Sequence, residues 1–179
     1  AVAKLDFAAG KKRGRIWKVT SRSQEKPAPW QNSKGVGLAI REALEADGDL
    51  SRLAKLAEQS GENAWLRAAV FSSCSGRAKE LVGVLSAKTS PAFVEEAARL
   101  LAKEESAGQL PGIARDVLKK RKGWGFSQRI AFLLGFGENV RKPFAAKLQP
   151  KARGASTNSK LPLSDRLLAI RFLNRENRS

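Results

Sequence analysis

Between Asn63 and Leu81 an apolar segment, Ala64-Trp65-Leu66-Arg67-Ala68-Ala69-Val70-Phe71, runs into Gly76-Arg77 and out again into Ala78-Lys79-Glu80-Leu81. The spacing predicts one helix that ends near Gly76 and a second that starts beside it. An isolated helix hairpin cannot cover that many apolar positions, so neighbouring units must do so. Units of this kind, repeated along a chain, build a stacked helical array, which presents surfaces more readily than it performs reactions.

Helical spacing continues on both sides. Leu38, Ala39 and Ala43 open a first segment, and Leu50, Leu53, Leu56 and Ala57 form one stripe after a break at Gly48. Asn63 is placed to cap the third helix, whose apolar face is read as Trp65, Leu66, Ala69 and Val70. Leu81, Val82 and Leu85 follow. Ser90-Pro91 is the clearest start signal, with a hydroxyl cap and a proline where its missing N–H costs nothing. Further helices are expected at 113–121, 127–135, 140–148 and 164–174. Helix pairs of this length joined by short turns predict an all-α fold, a HEAT-like α-solenoid; a compact irregular bundle is the plainer alternative.

Residues 1–32 have weak helical period, and Gly14-Arg15-Ile16-Trp17-Lys18-Val19 alternates basic with apolar residues as a single strand would. The expected organisation is a basic N-terminal arm over 1–32, a helical-repeat domain over 33–148, a flexible basic linker over 149–162 and a C-terminal helix over 163–179. Pro150, Gly154 and Pro162 carry the linker reading. The net charge of +17 is uneven, at +8 over 1–41, −3 over 42–118 and +12 over 119–179. A nearly neutral middle between basic ends suggests a regular core whose flanks face a partner.

The chain holds no histidine, methionine or tyrosine, and its single cysteine is Cys74. A haem attachment motif, a Cys/His zinc site, a Ser-His-Asp triad and a Cys-His pair are therefore impossible within it. No metal site, cofactor or small-molecule site is predicted. Cys74 lies in an apolar helix and is expected to be a buried thiol. The longest apolar run, Ile130 to Phe136, falls far short of the roughly 20 residues that span a bilayer. Ala1 to Asp6 lacks the charged and apolar regions of a signal peptide, so either there was none or the chain begins downstream of one.

The segment Asn63 to Ser73 with Gly76-Arg77-Ala78 resembles the HEAT-like segment of large planctomycete-type proteins, the putative membrane-bound dehydrogenases with a c-type haem domain. Pro162 to Leu173 is similar to a later helix of that family, and Gly14 to Val19 looks like the last strand of the propeller that precedes its repeats. The resemblance implies an exported, periplasmic or membrane-associated setting. It also implies structural roles for Trp65, Leu66, Arg67 and Arg77, with Arg67 bonding turn carbonyls or acids of an adjacent repeat. The propeller body and haem motif are absent from this chain, and Asn63-Ala64 stands where the family has Asp-Pro, so redox activity does not transfer.

Two basic clusters are candidate partner sites. Lys119, Lys120, Arg121 and Lys122 precede Trp124 and Phe126 on a glycine-hinged loop, suited to phosphates and to stacking. The plainer reading, which is preferred, is a solvated helix C-terminus with both aromatics packed into the next helix. Lys11, Lys12, Arg13 and Arg15 form the second cluster, where basic residues on an edge strand would also deter aggregation. Glu95-Glu96 and Glu104-Glu105 are adjacent in sequence and diverge on a helix, so they are read as surface charges rather than an acid/base pair. The expected function is a non-catalytic scaffold or protein-interaction module; the alternative is a basic helical-repeat nucleic-acid-binding protein.

Overall fold

The computed structural model describes residues 35–176 except Asp47 and Glu62. The expected N-terminal strand and the cluster Lys11, Lys12, Arg13 and Arg15 lie outside the described residues. Nine helices and no strand are found among those described: α1 (Val36–Glu45), α2 (Leu50–Ser60), α3 (Ala64–Ser73), α4 (Ala78–Val84), α5 (Pro91–Glu104), α6 (Leu110–Lys120), α7 (Phe126–Leu134), α8 (Glu138–Thr157) and α9 (Leu163–Glu176). The fold is all-α.

Local chemistry sets the helix starts. Gly48 takes a φ of 80° that other residues rarely adopt, turning the chain so that the Asp49 carboxylate accepts from the Ser51 and Arg52 N–H groups. Asn63 Oδ1 accepts from Leu66 N at 2.9 Å, and Ser90 Oγ accepts from Phe93 N at 3.3 Å with Pro91 as the first helical residue. Helix α4 is only seven residues long and has no side-chain cap of its own. Its cap comes from elsewhere: Glu104, at the end of α5, accepts from Gly76 N and Ala78 N at 2.8 Å each. A carboxylate there also favours the positive end of the α4 dipole.

Alternate helices pack together, with α1 on α3, α5 on α7, α7 on α9, α2 on α4 and α6 on α8. Successive helices close the pairs α2/α3, α4/α5 and α8/α9. This order is compatible with a helical repeat. Helices α3 and α5 are joined by Phe71 stacked on Phe93 at 4.5 Å and by Arg67 bonded to Glu96. One apolar core runs from Ala43 in α1 to Phe172 in α9, so the C-terminal helix is part of the same body as the rest.

Three expectations need correction. The stretch from Gln149 read as a linker is helical to Thr157, leaving only 158–162 between α8 and α9. Pro143 and Pro150 each remove one backbone bond from α8, but Ala152 and Ala155 are buried in the core shared with Leu168, Ala169 and Phe172 of α9. Trp65, expected on the apolar face of α3, is 79% exposed, whereas Leu66, Ala69 and Val70 are buried as expected. Its place as second residue of the helix turns it away from the stripe that the other three share. Glu95, read as a surface charge, is buried between Arg99 of its own helix and Arg171 of α9, whose Nη2 stands 2.8 Å from Oε1.

Candidate partner-binding groove

Arginines fix the turns on which any site must be built. Arg67, Arg129 and Arg141 each stand fourth in their helices, α3, α7 and α8, and each donates back to the incoming turn. Arg67 Nη1 reaches Gly61 O at 2.9 Å, Arg129 Nε reaches Trp124 O at 3.0 Å, and Arg141 Nη1 reaches Phe136 O at 2.9 Å. Gly61 O and Phe136 O lie at or just past the ends of α2 and α7, where acceptors lack intrahelical donors and the dipole is negative, whereas Trp124 O lies in the turn before α7. Arg67 also places Nε 3.1 Å from both carboxylate oxygens of Glu96. Arg77 serves the earlier turn, donating to Gly48 O at 2.8 Å. Arg166 holds the same fourth position in α9, but its buried Nε meets no acceptor among the described residues.

The basic segment before α7 is divided by this anchoring. Lys119, Lys120 and Lys122 are exposed, while Arg121 is half-buried and donates to Leu85 O at 3.3 Å. Arg129 spans the turn, with Nη1 on Leu118 O and Nη2 on Arg121 O in addition to its bond to Trp124 O. Gln128 locks the other side: its Oε1 accepts from Gly125 N and its Nε2 donates to Ala87 O and Thr89 O. Trp124 is consequently turned inward, 4% exposed, with its ring edge-on to Phe132 at 5.5 Å. The Trp124 ring thus packs against the following helix, the arrangement that the plainer reading of this segment describes.

A groove of about 510 Å³ opens above this turn, between α6, the start of α7 and the middle of α8. Leu118, Trp124, Phe126, Phe144 and Leu148 line it with apolar surface, and Lys122, Arg129, Lys147 and Lys151 supply cations and no acid. Phe144 with Leu148, and Lys147 with Lys151, are pairs four residues apart on α8, so one helix presents an apolar stripe beside a cationic one. Of these residues, Lys122, Trp124 and Phe126 were visible in the sequence as part of a candidate cluster, and the α8 side was not. The missed signal is the paired spacing itself, hidden because 149–162 reads as a break. A second depression of about 530 Å³ adjoins across Phe126, lined by Ala87 to Pro91, Gly125 to Gln128, Leu161 and Asp165.

Cys74 is 1% exposed, and burial, reinforced by the nearby charge of Glu104, pushes its thiol up to about 12. A thiol raised above its ordinary value of 9.0 contributes stability that is fully present below pH 9 and lost as pH rises toward about 12. The stability difference between the native chain and a Cys74→Ala variant should therefore narrow above pH 9 in denaturant titrations. Reaction with a thiol reagent at neutral pH should proceed only as fast as the chain opens. Fast labelling of the folded chain would show Cys74 to be accessible.

No three His, Cys, Asp or Glu side chains group as a metal site among the described residues, and no helix there is long and apolar enough to cross a membrane. No family model matches the chain, and neither a curated protein nor a solved structure matches it.

Proposed function

We propose that this chain is a non-catalytic helical-repeat scaffold, an α-solenoid of stacked helix pairs that docks a protein partner. The observation that carries the reading is the groove, an apolar strip flanked on one helix by Lys147 and Lys151 and built on a turn held by six hydrogen bonds of Arg129 and Gln128 to backbone carbonyl oxygens and one from Gly125 N–H to the Gln128 amide oxygen. A rigid shelf of that kind binds without first paying an ordering cost. The recurrent fourth-position arginines of α3, α7, α8 and α9, with the odd-on-odd and even-on-even packing, support the solenoid arrangement. The contacts of Arg67 with Gly61 O and Glu96 are those that the resemblance to the HEAT-like segment of dehydrogenase/cytochrome-type proteins implies. On that reading the chain acts beside other modules of an exported, periplasmic or membrane-associated protein.

The test is photo-crosslinking in cells from a benzoyl-phenylalanine placed at Leu148, with exposed Gln59 on α2 as the control position. Protein adducts formed from 148 and not from 59 are expected. Adducts to nucleic acid alone, or equal adducts from both positions, would overturn it.

A second reading, nucleic-acid binding, is favoured by the +12 carried on 119–179. Neutralising about six phosphates would make log affinity fall with log salt at a slope of about −5. The inward turn of Trp124 removes the ring best placed for stacking, which weighs against single strands.

A further inference from the structure

We propose that the groove receives an acidic amphipathic helix from the protein partner, which rests on the docking function above and names the class of ligand. Helix-in-groove recognition needs an apolar trough with room for the anchors of one helical face and polar contacts beside it. Phe144 and Leu148 are one helical turn apart on α8, and Leu118 of α6 and Phe126 of α7 close the trough from the other side. Its volume of about 510 Å³ admits anchor side chains, while the body of the bound helix would lie across the mouth.

Charge decides the partner's character. Lys147 and Lys151 are both exposed and stand four residues apart, the spacing at which two carboxylates on a helix face would meet them. Lys122 adds a third exposed cation on the facing turn, and the lining contains no acid to oppose a carboxylate. Arg129 is committed to three carbonyl oxygens and positions the turn rather than the ligand. A nucleic acid would use the same lysines, but Leu118 and Leu148 offer no face for stacking, Trp124 is covered, and the rings of Phe126 and Phe144 are half-buried in the trough.

The probe is a fluorescein-labelled peptide of about 18 residues, long enough for five helical turns, with leucines at helical spacing and glutamates flanking them. Fluorescence anisotropy with the full chain should show saturable binding that weakens with salt. A Lys147→Glu/Lys151→Glu variant should lose about tenfold or more in affinity, and Phe144→Ala about tenfold, as a well-seated anchor does. Both lysines are exposed, so the double variant should keep its melting temperature within about 2 °C, separating loss of binding from loss of fold. A peptide with lysines in place of the glutamates, and one of scrambled order, should bind at least about tenfold more weakly. Equal binding of the scrambled or lysine peptide, an unchanged affinity of the double variant, or tighter lysine-dependent binding of single-stranded or duplex oligonucleotide would overturn the proposal. Protein crosslinks from position 148 with no acidic-peptide binding would sink this inference while leaving the docking function standing.

Discussion

Arg141→Ala should destabilise the chain by about 3–5 kcal/mol, the usual cost of removing one member of a buried ion pair, and lower the melting temperature by about 10 °C or more. Arg141 Nε lies 3.0 Å from Glu176 Oε1, and the two side chains are only 7% and 4% exposed. The same guanidinium donates to Phe136 O in the turn from α7, so one residue ties the end of α7, the start of α8 and the end of α9. Its loss removes the guanidinium that stands 3.0 Å from the buried Glu176 carboxylate. Much of the cost is thus a desolvation penalty rather than the worth of the pair. Replacing both residues, as Arg141→Met with Glu176→Met, should recover most of the loss, because matched apolar groups of similar volume are often neutral in such places. Thermal melts and urea titrations of the two singles and the double form a thermodynamic cycle. A single variant costing under about 1 kcal/mol, the range of exposed pairs, would show that water reaches this pair in solution. Since α8 carries Phe144, Leu148, Lys147 and Lys151, a shift of its first turn also reshapes one wall of the groove.

Helix starts were legible because their chemistry is local. Asn63, and Ser90 with Pro91, announce themselves within three residues, and the structure uses both side chains as caps. The second half of α8 was illegible for the opposite reason. Pro150 and Gly154 are local breakers, and the only buried residues there are Ala152 and Ala155, too small to give a strong apolar period. What keeps that stretch helical is the surface of α9, and packing of that kind overrides propensity without leaving a local trace. Trp65 shows a converse error: a large aromatic beside Leu66 reads as core, yet the face is already filled by Leu66, Ala69 and Val70. Glu95 shows how distance in sequence hides a site, since one of its two arginines lies 76 residues away. Half of the groove was legible as the basic run before Trp124. The other half depended on knowing that α8 continues past Leu148 and crosses beside α6.

Gly135→Ala offers a test in which two effects have opposite sign. At a helix end with ordinary backbone angles, replacing glycine by alanine usually stabilises by about 0.4–1 kcal/mol through the unfolded chain. Gly135 has a φ of −67°, so its backbone alone raises no objection. Space does. A Cβ there would lie 2.5 Å from Ala98 Cβ, 2.7 Å from Glu95 O and 3.0 Å from Arg99 N. Two of those three atoms belong to the α5 backbone and cannot swing aside as a side-chain tip would. Overpacking should therefore win, with a net loss of about 2 kcal/mol for alanine and about 3 kcal/mol for Gly135→Val. Glu95, whose carbonyl faces Gly135, also pairs with Arg171 of α9, so the variants should weaken that pair together with the core. Ala98→Gly should relieve the alanine variant only in part, because the carbonyl of Glu95 and the amide of Arg99 stay in place. Urea midpoints of the three variants decide the matter. If Gly135→Ala matched or exceeded the native midpoint, α5 and α7 would stand farther apart than described, and the turn bearing Trp124 and Phe126 would lose the fixed footing on which the groove depends.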